Sequence, residues 1–256
     1  MILTPFEKDF HCRIGMRLEP KFAAWAKIGY NGDVDTASED VWPGGGIYPL
    51  LSGATQLQCI SSSTDDDGNP VGSGARTVTV RYLDTNYAEK STTVTLDGTT
   101  AADLSVADTF RIQAFRVTTV GAGNAAAGTI DLRTKVGATV VGRIAPGLTR
   151  ARTCVYTVPA GKVLYVTSMA LGAGAAAAGK NVTITLRAGY EDLSDTVLSA
   201  GFFQPYAEVQ VEDGSFVREF EVPLRFPATT IVKMSAISGA NDAIVTASLR
   251  GFVETL

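Results

Sequence analysis

Thr77-Val78-Thr79-Val80-Arg81-Tyr82 alternates without a break, with Val78, Val80 and Tyr82 on one face and Thr77, Thr79 and Arg81 on the other. A period of two marks a half-buried strand, because successive side chains of an extended chain point to opposite sides. A turn at Asp84-Thr85-Asn86 follows, and Thr93-Val94-Thr95-Leu96 returns as the partner, stopped by Asp97-Gly98. The pattern continues outward in both directions. Leu57 to Ser62 precedes it, and Phe110, Ile112 and Ala114 alternate with Arg111, Gln113 and Phe115. Further on come Cys154 to Val158, Val163 to Val166, Val182-Ile184-Leu186, Ala207-Val209-Val211, Phe216 to Phe220, Ile231 to Met234 and Ala243 to Val245. Strands at roughly 8–15-residue spacing, with no long amphipathic helix, predict an all-β fold of β-sandwich or jelly-roll type.

A second pattern punctuates these strands. Val120-Gly121-Ala122-Gly123-Asn124-Ala125-Ala126-Ala127-Gly128 leads into Thr129 to Arg133, and Leu171-Gly172-Ala173-Gly174 with Ala175 to Gly179 leads into Lys180 to Arg187. A looser version, Ser238-Gly239-Ala240-Asn241-Asp242, precedes Ser248-Leu249-Arg250. Each lies between β-patterned segments, so each is read as a hairpin with a side-chain-poor loop. None carries a chemical group, which points to a scaffold.

The chain has 256 residues, 45% hydrophobic and 19% charged, with a net charge of −4. It is long enough for a large core, and its low charge suits buried interfaces. Binding nucleic acid needs clustered Lys and Arg; the densest basic spot is Arg150-Ala151-Arg152, read as a solvated linker. No nucleic acid and no membrane are therefore expected as partners, since no apolar run approaches the roughly 18 residues that span a bilayer. Charges in Met1 to Asp9 interrupt what a signal peptide would need, which predicts retention in a cytoplasm. Cys12, Cys59 and Cys154, without a C-x-x-C pair, are read as buried thiols in a reducing compartment.

Candidate chemistry is sparse. His11 is the single histidine, and its neighbour Cys12 would face the opposite way in an extended chain, so no nucleophile–base pair is expected. Asp65-Asp66-Asp67-Gly68-Asn69 offers oxygens at alternate positions, but Pro70 and Arg76 stand where a calcium loop needs Gly and Glu. It is read as a solvated hairpin tip. Paired carboxylates for glycoside cleavage lack aromatic platforms, with only Trp25 and Trp42 present. Gly121-Ala122-Gly123 and Gly172-Ala173-Gly174 lack the Lys-Ser/Thr of a phosphate loop. The expectation is a protein that is not an enzyme, with no catalytic residues, cofactor or metal.

Several stretches resemble virion structural proteins of tailed bacteriophages, particularly β-sandwich proteins that decorate or cement capsids. They are Asn31-Gly32-Asp33-Val34-Asp35 with Trp42-Pro43-Gly44-Gly45, Gly74 to Val80, Glu89 to Thr100, Tyr156 to Lys162, and Phe216 to Phe220 with Pro223 to Pro227. The resemblance implies a homo-oligomer, often a trimer, bound to the major capsid protein in the virion. Rival readings are a tail or head-fibre receptor-binding protein and a neck or tail adaptor.

A boundary at Ala145-Pro146-Gly147-Leu148 divides the chain into an N-terminal arm over 1–30, a β-sandwich module over 31–146 and a jelly-roll-like module over 147–256. Lys21 to Lys27 is read as one or two helical turns, and 31–56 as a solvated, turn-rich loop. The arm carries an irregular set of apolar residues, so Phe6, Phe10, Phe22 and Trp25 are expected to dock on a capsid or neighbouring subunit.

Overall fold

The computed structural model describes residues 10–174, 179–190 and 203–256. Among the described residues the fold is all-β apart from one short helix, α1 (Phe10–Gly15). One group of strands comprises β1 (Phe22–Val34), β2 (Glu39–Asp40), β10 (Val155–Thr157), β11 (Lys162–Gly174), β12 (Val182–Tyr190), β13 (Gln204–Val211), β14 (Gly214–Phe226), β15 (Thr230–Ser238) and β16 (Ala243–Thr255). They form two antiparallel sheets, one ordered β1-β16-β11-β14 and the other β10-β15-β12-β13 with β2 beside β15. The chain steps between the two sheets at almost every connection, and its first and last strands lie side by side. That is the wiring of an eight-stranded jelly roll. Val166, Met169, Leu171, Ile184, Leu186, Phe226, Met234, Val245 and Leu249 fill the space between the sheets.

The remaining strands are β3 (Leu57–Ser61), β4 (Ala75–Leu83), β5 (Glu89–Thr95), β6 (Ala102–Asp103), β7 (Arg111–Val120), β8 (Ile130–Thr134) and β9 (Val140–Ile144). They make a second sandwich, β6-β3-β8-β9 over β5-β4-β7. Its separate core contains Leu57, Val78, Val80, Tyr82, Phe115, Ile130, Leu132 and Ile144. Val78, Val80 and Tyr82 of β4 are buried and Arg81 is exposed, as the alternation predicts, but Thr79 on the other face is buried as well.

The division of the chain differs from the expected one. β1 pairs along its length with β16, from Phe22↔Glu254 to Val34↔Ala243, and Val34 and Val41 lie in the jelly-roll core. The first module is therefore an insertion, about 51–151, between the first and second strands of the jelly roll. Phe22 to Lys27 is strand, not helix, and 31–56 is not a solvated loop: Asn31, Val34 and residues 39–42 are buried. Lys233 Nζ meets Asp40 at 2.9 Å where both side chains are almost fully buried. Ser235 Oγ and the Tyr48 amide also donate to Asp40, each at 2.8 Å. Glu39 accepts from Asn31 Nδ2 at 3.0 Å and from the Gly46 amide at 2.9 Å. Buried charges persist only when paired and hydrogen-bonded, and this network bolts residues 39–48 to the jelly roll.

The first and third Gly-Ala segments are not hairpin loops. The first joins β7 to β8 and the third β15 to β16, and each pair of strands belongs to different sheets. These are the corners where the chain crosses from one layer of a sandwich to the other, about 10 Å away. The first corner packs on the acidic loop so closely that a Cβ on Gly121 would stand 2.4 Å from Gly72 O. Ala175 to Ala178 lie outside the described residues.

Candidate binding cleft

The acidic loop is an internal hub. The Asp66 carboxylate, fully buried, accepts from Ser61 Oγ at 2.6 Å, the Ala75 amide at 2.7 Å, and the Ala127 and Gly128 amides at 2.8 Å. Asp67 is also buried. The reading of 65–69 as a solvated tip holds for the exposed Asp65 and Asn69 and is corrected for Asp66 and Asp67: four donors converge on the Asp66 carboxylate and offset its desolvation. Two of these bonds hold the loop to the first Gly-Ala corner and two hold it to Ser61 of β3 and Ala75 of β4.

The arm residues likewise find partners within the chain. Phe10, Phe22 and Phe252 form an edge-to-face triangle with centroid separations of 5.1–5.7 Å, and Phe252 stacks on Tyr165 at 4.9 Å. Trp25 sits edge-on to Tyr156 at 5.0 Å and packs against the jelly-roll core. Such pairs each contribute about 0.5–1.5 kcal/mol beyond area burial. Phe22 and Trp25 are therefore half-buried by packing within the chain, while Phe10, in the same aromatic cluster, stays 41% exposed; Phe6 lies outside the described residues. Of the three thiols, Cys59 and Cys154 are buried as expected, whereas Cys12 is exposed on α1.

What remains open is a cleft of about 470 Å³ between the two modules. The jelly roll supplies Ala23 to Ile28 of β1, Tyr156, Lys162 and Thr255; the insertion supplies Arg81, Glu89, Ile112 to Arg116 and Arg150. The junction is tied by Tyr48 Oη, which donates to Val141 O at 2.7 Å, by the Ala160 amide donating to Tyr87 O at 3.0 Å, by Gln113 Nε2 donating to Thr157 O, and by the Lys162–Glu89 ion pair.

Lys27 lies at the centre. Its ammonium donates to the Gln113 carbonyl and stands 5.8 Å from the centre of the Tyr156 ring. Burial lowers its pKa to about 8, with the Arg81 charge acting in the same direction. The neighbouring Cys154 thiol is pushed up to about 12, again by burial. Five cationic side chains (Lys27, Arg81, Arg116, Arg150, Lys162) and one carboxylate, Glu89, line the cleft. Glu89 serves Arg81 at 3.7 Å as well as Lys162, so among the described residues Lys27, Arg116 and Arg150 have no acidic partner. Gln113 Oε1 and Thr153 Oγ1, both buried and both on the cleft wall, have no hydrogen-bond partner. Arg150, exposed in the segment that leads to β10, also lines the cleft wall.

A second charged cluster lies at the far end of β1, where carboxylate oxygens of Asp33, Asp35 and Asp242 come within 4.8 Å of one another. The Asp33 carboxyl is raised above its usual range, first by its hydrogen bond with Asp242 and then by the Asp35 charge.

Sequence reasoning missed the cleft because it joins residues far apart in the chain. Its only sequence signal was Arg150-Ala151-Arg152.

No family model and no curated protein matches the chain. Among solved structures, that of the infectious bursal disease virus Gt strain is similar at 10% identity and a TM-score of 0.19, covering 92% of this chain and 76% of that one. Infectious bursal virus-derived T=1 particles give 11% identity and a TM-score of 0.17, covering 92% and 74%. Scores this low do not establish a shared fold. No helix among the described residues is long and apolar enough to cross a membrane.

Proposed function

We propose that the chain is a non-enzymatic structural component of a virion, and more narrowly one that binds between capsomers of a tailed-phage head and stabilises the shell. The observation that carries this reading is the jelly roll with a second sandwich inserted after its first strand. Jelly rolls serve in capsid and lectin domains, and a fold alone does not fix a role. The use of the buried charges supports the scaffold reading: Asp66, Asp40, Glu39 and Lys233 are all spent on internal bonds. The resemblance of the turn-and-strand phrases to phage head proteins supplies the narrower part. On this reading the partners are the major capsid protein and further copies of the chain, as a trimer.

The test is addition of purified protein to heads lacking it. Co-sedimentation and a raised disruption temperature are expected, with a stable oligomer by light scattering. A protein that stays in the supernatant and leaves the heads unchanged contradicts the proposal. The cationic cleft favours one other reading, a fibre-type receptor binder, which would show instead as specific binding to host cells.

A further inference from the structure

The free edge of β1 opens into the inter-module cleft in a way that defines a ligand. The Thr255 amide donates to Lys21 O at 2.8 Å, so in the register of β1 with β16 the odd-numbered residues of β1 exchange hydrogen bonds with β16. The even-numbered ones point their main-chain groups the other way. Two of these are satisfied: Phe22 N by Glu19 O at 3.1 Å and Tyr30 N by Arg152 O at 3.0 Å. Ala24, Ala26 and Ile28, between them, face the cleft and pair with no strand among the described residues. The gap is bounded by the 150–153 segment, which already occupies the same edge farther along.

We propose that this cleft binds an extended acidic peptide segment of a partner protein, which adds to β1 as a strand and places its carboxylates among Lys27, Arg116 and Arg150. Exposed sheet edges capture peptides through main-chain hydrogen bonds, with side-chain pockets supplying specificity. The alanines keep the edge unobstructed. Gln113 is 6% exposed, and its Oε1 lacks a donor; a peptide amide or hydroxyl supplies one, as it does for Thr153 Oγ1. Free amides and carbonyls in alternation match a polypeptide and not a phosphate backbone. The inference rests on the reading of the chain as a binding scaffold, and not on which particle the partner belongs to.

The experiment is fluorescence anisotropy with the full chain and a labelled peptide of about ten residues alternating Thr and Glu, against the same peptide with Lys for Glu. The acidic peptide is expected to bind at least about tenfold more tightly. Arg116→Glu combined with Arg150→Glu alters two exposed side chains and is expected to abolish the preference while leaving the melting temperature in place. Ala26→Pro removes one edge amide, a change that edge strands tolerate, and is expected to weaken binding about tenfold or more. Hydrogen exchange at Ala24, Ala26 and Ile28 is expected to slow on binding. Equal affinity for the two peptides, an unchanged preference in the charge-reversed variant, protection elsewhere alone, or displacement by single-stranded DNA as effective as by peptide would each overturn the inference. No particle enters the measurement, so its outcome is separate from that of the capsid-binding test.

Discussion

Two side chains carry most of the account at the residue scale. Asp66 is surrounded only by donors. Asp66→Ala leaves the buried donors of Ser61, Ala75 and Gly128 unpaired at about 1–3 kcal/mol each, a large share of the stability of a whole domain. Urea unfolding of this variant is expected to show the insertion without a cooperative transition; stability within about 1 kcal/mol of the parent would dismiss the hub. Asp66→Asn is expected to fare little better, because its amide nitrogen turns a donor toward donors. Lys27 works the other way. Its folded pKa, about 8, lies below the ordinary 10.5, so folding disfavours the charged form. The resulting burden is full below pH 8 and fades as pH rises toward 10.5, where the unfolded chain also loses the proton. Lys27→Met is expected to raise the melting temperature at pH 7 by roughly 2–4 °C, with a gain that shrinks between pH 8 and pH 10. A lower melting temperature at pH 7 would contradict this.

At the scale of elements, β1 decides how the chain is divided. Deleting residues 1–28 removes half of that strand and exposes the edge of β16. Circular dichroism and thermal melting are expected to show the jelly roll lost, not two intact modules. In β7 the buried face is Arg111, Gln113 and Phe115, against its polarity, whereas β4 was legible because Val78, Val80 and Tyr82 turn inward. β1 was not. Its inward positions carry Trp25, Lys27, Gly29 and Asn31, while Ile28 points outward and is 40% exposed. Polarity therefore runs against the period of two, and the strand reads as irregular. The reason is its location: it borders an inter-module cleft, so part of its inward face meets polar groups. The Gly-Ala corners were legible as repeats but not as crossovers, because sequence fixes where a chain turns more readily than which sheet it turns into.

For the whole molecule, the insertion sets what can stand alone. Leu51 and Ala151, at the two ends of the inserted sandwich, both pack on its own core. A fragment over 50–152 is therefore expected to melt cooperatively by itself. A fragment over 147–256, which holds most of the jelly roll but neither β1 nor the Asp40 that pairs with Lys233, is expected not to fold. The reverse result would restore the linear division read from sequence. The functional proposal belongs to this scale as well, since it rests on the wiring of the jelly roll and its inserted sandwich. Copy number in purified particles, from quantitative mass spectrometry against the major capsid protein, tests it most directly. The account predicts hundreds of copies per particle in fixed ratio to that protein. Absence from particles, or a handful of copies confined to a tail, would contradict it.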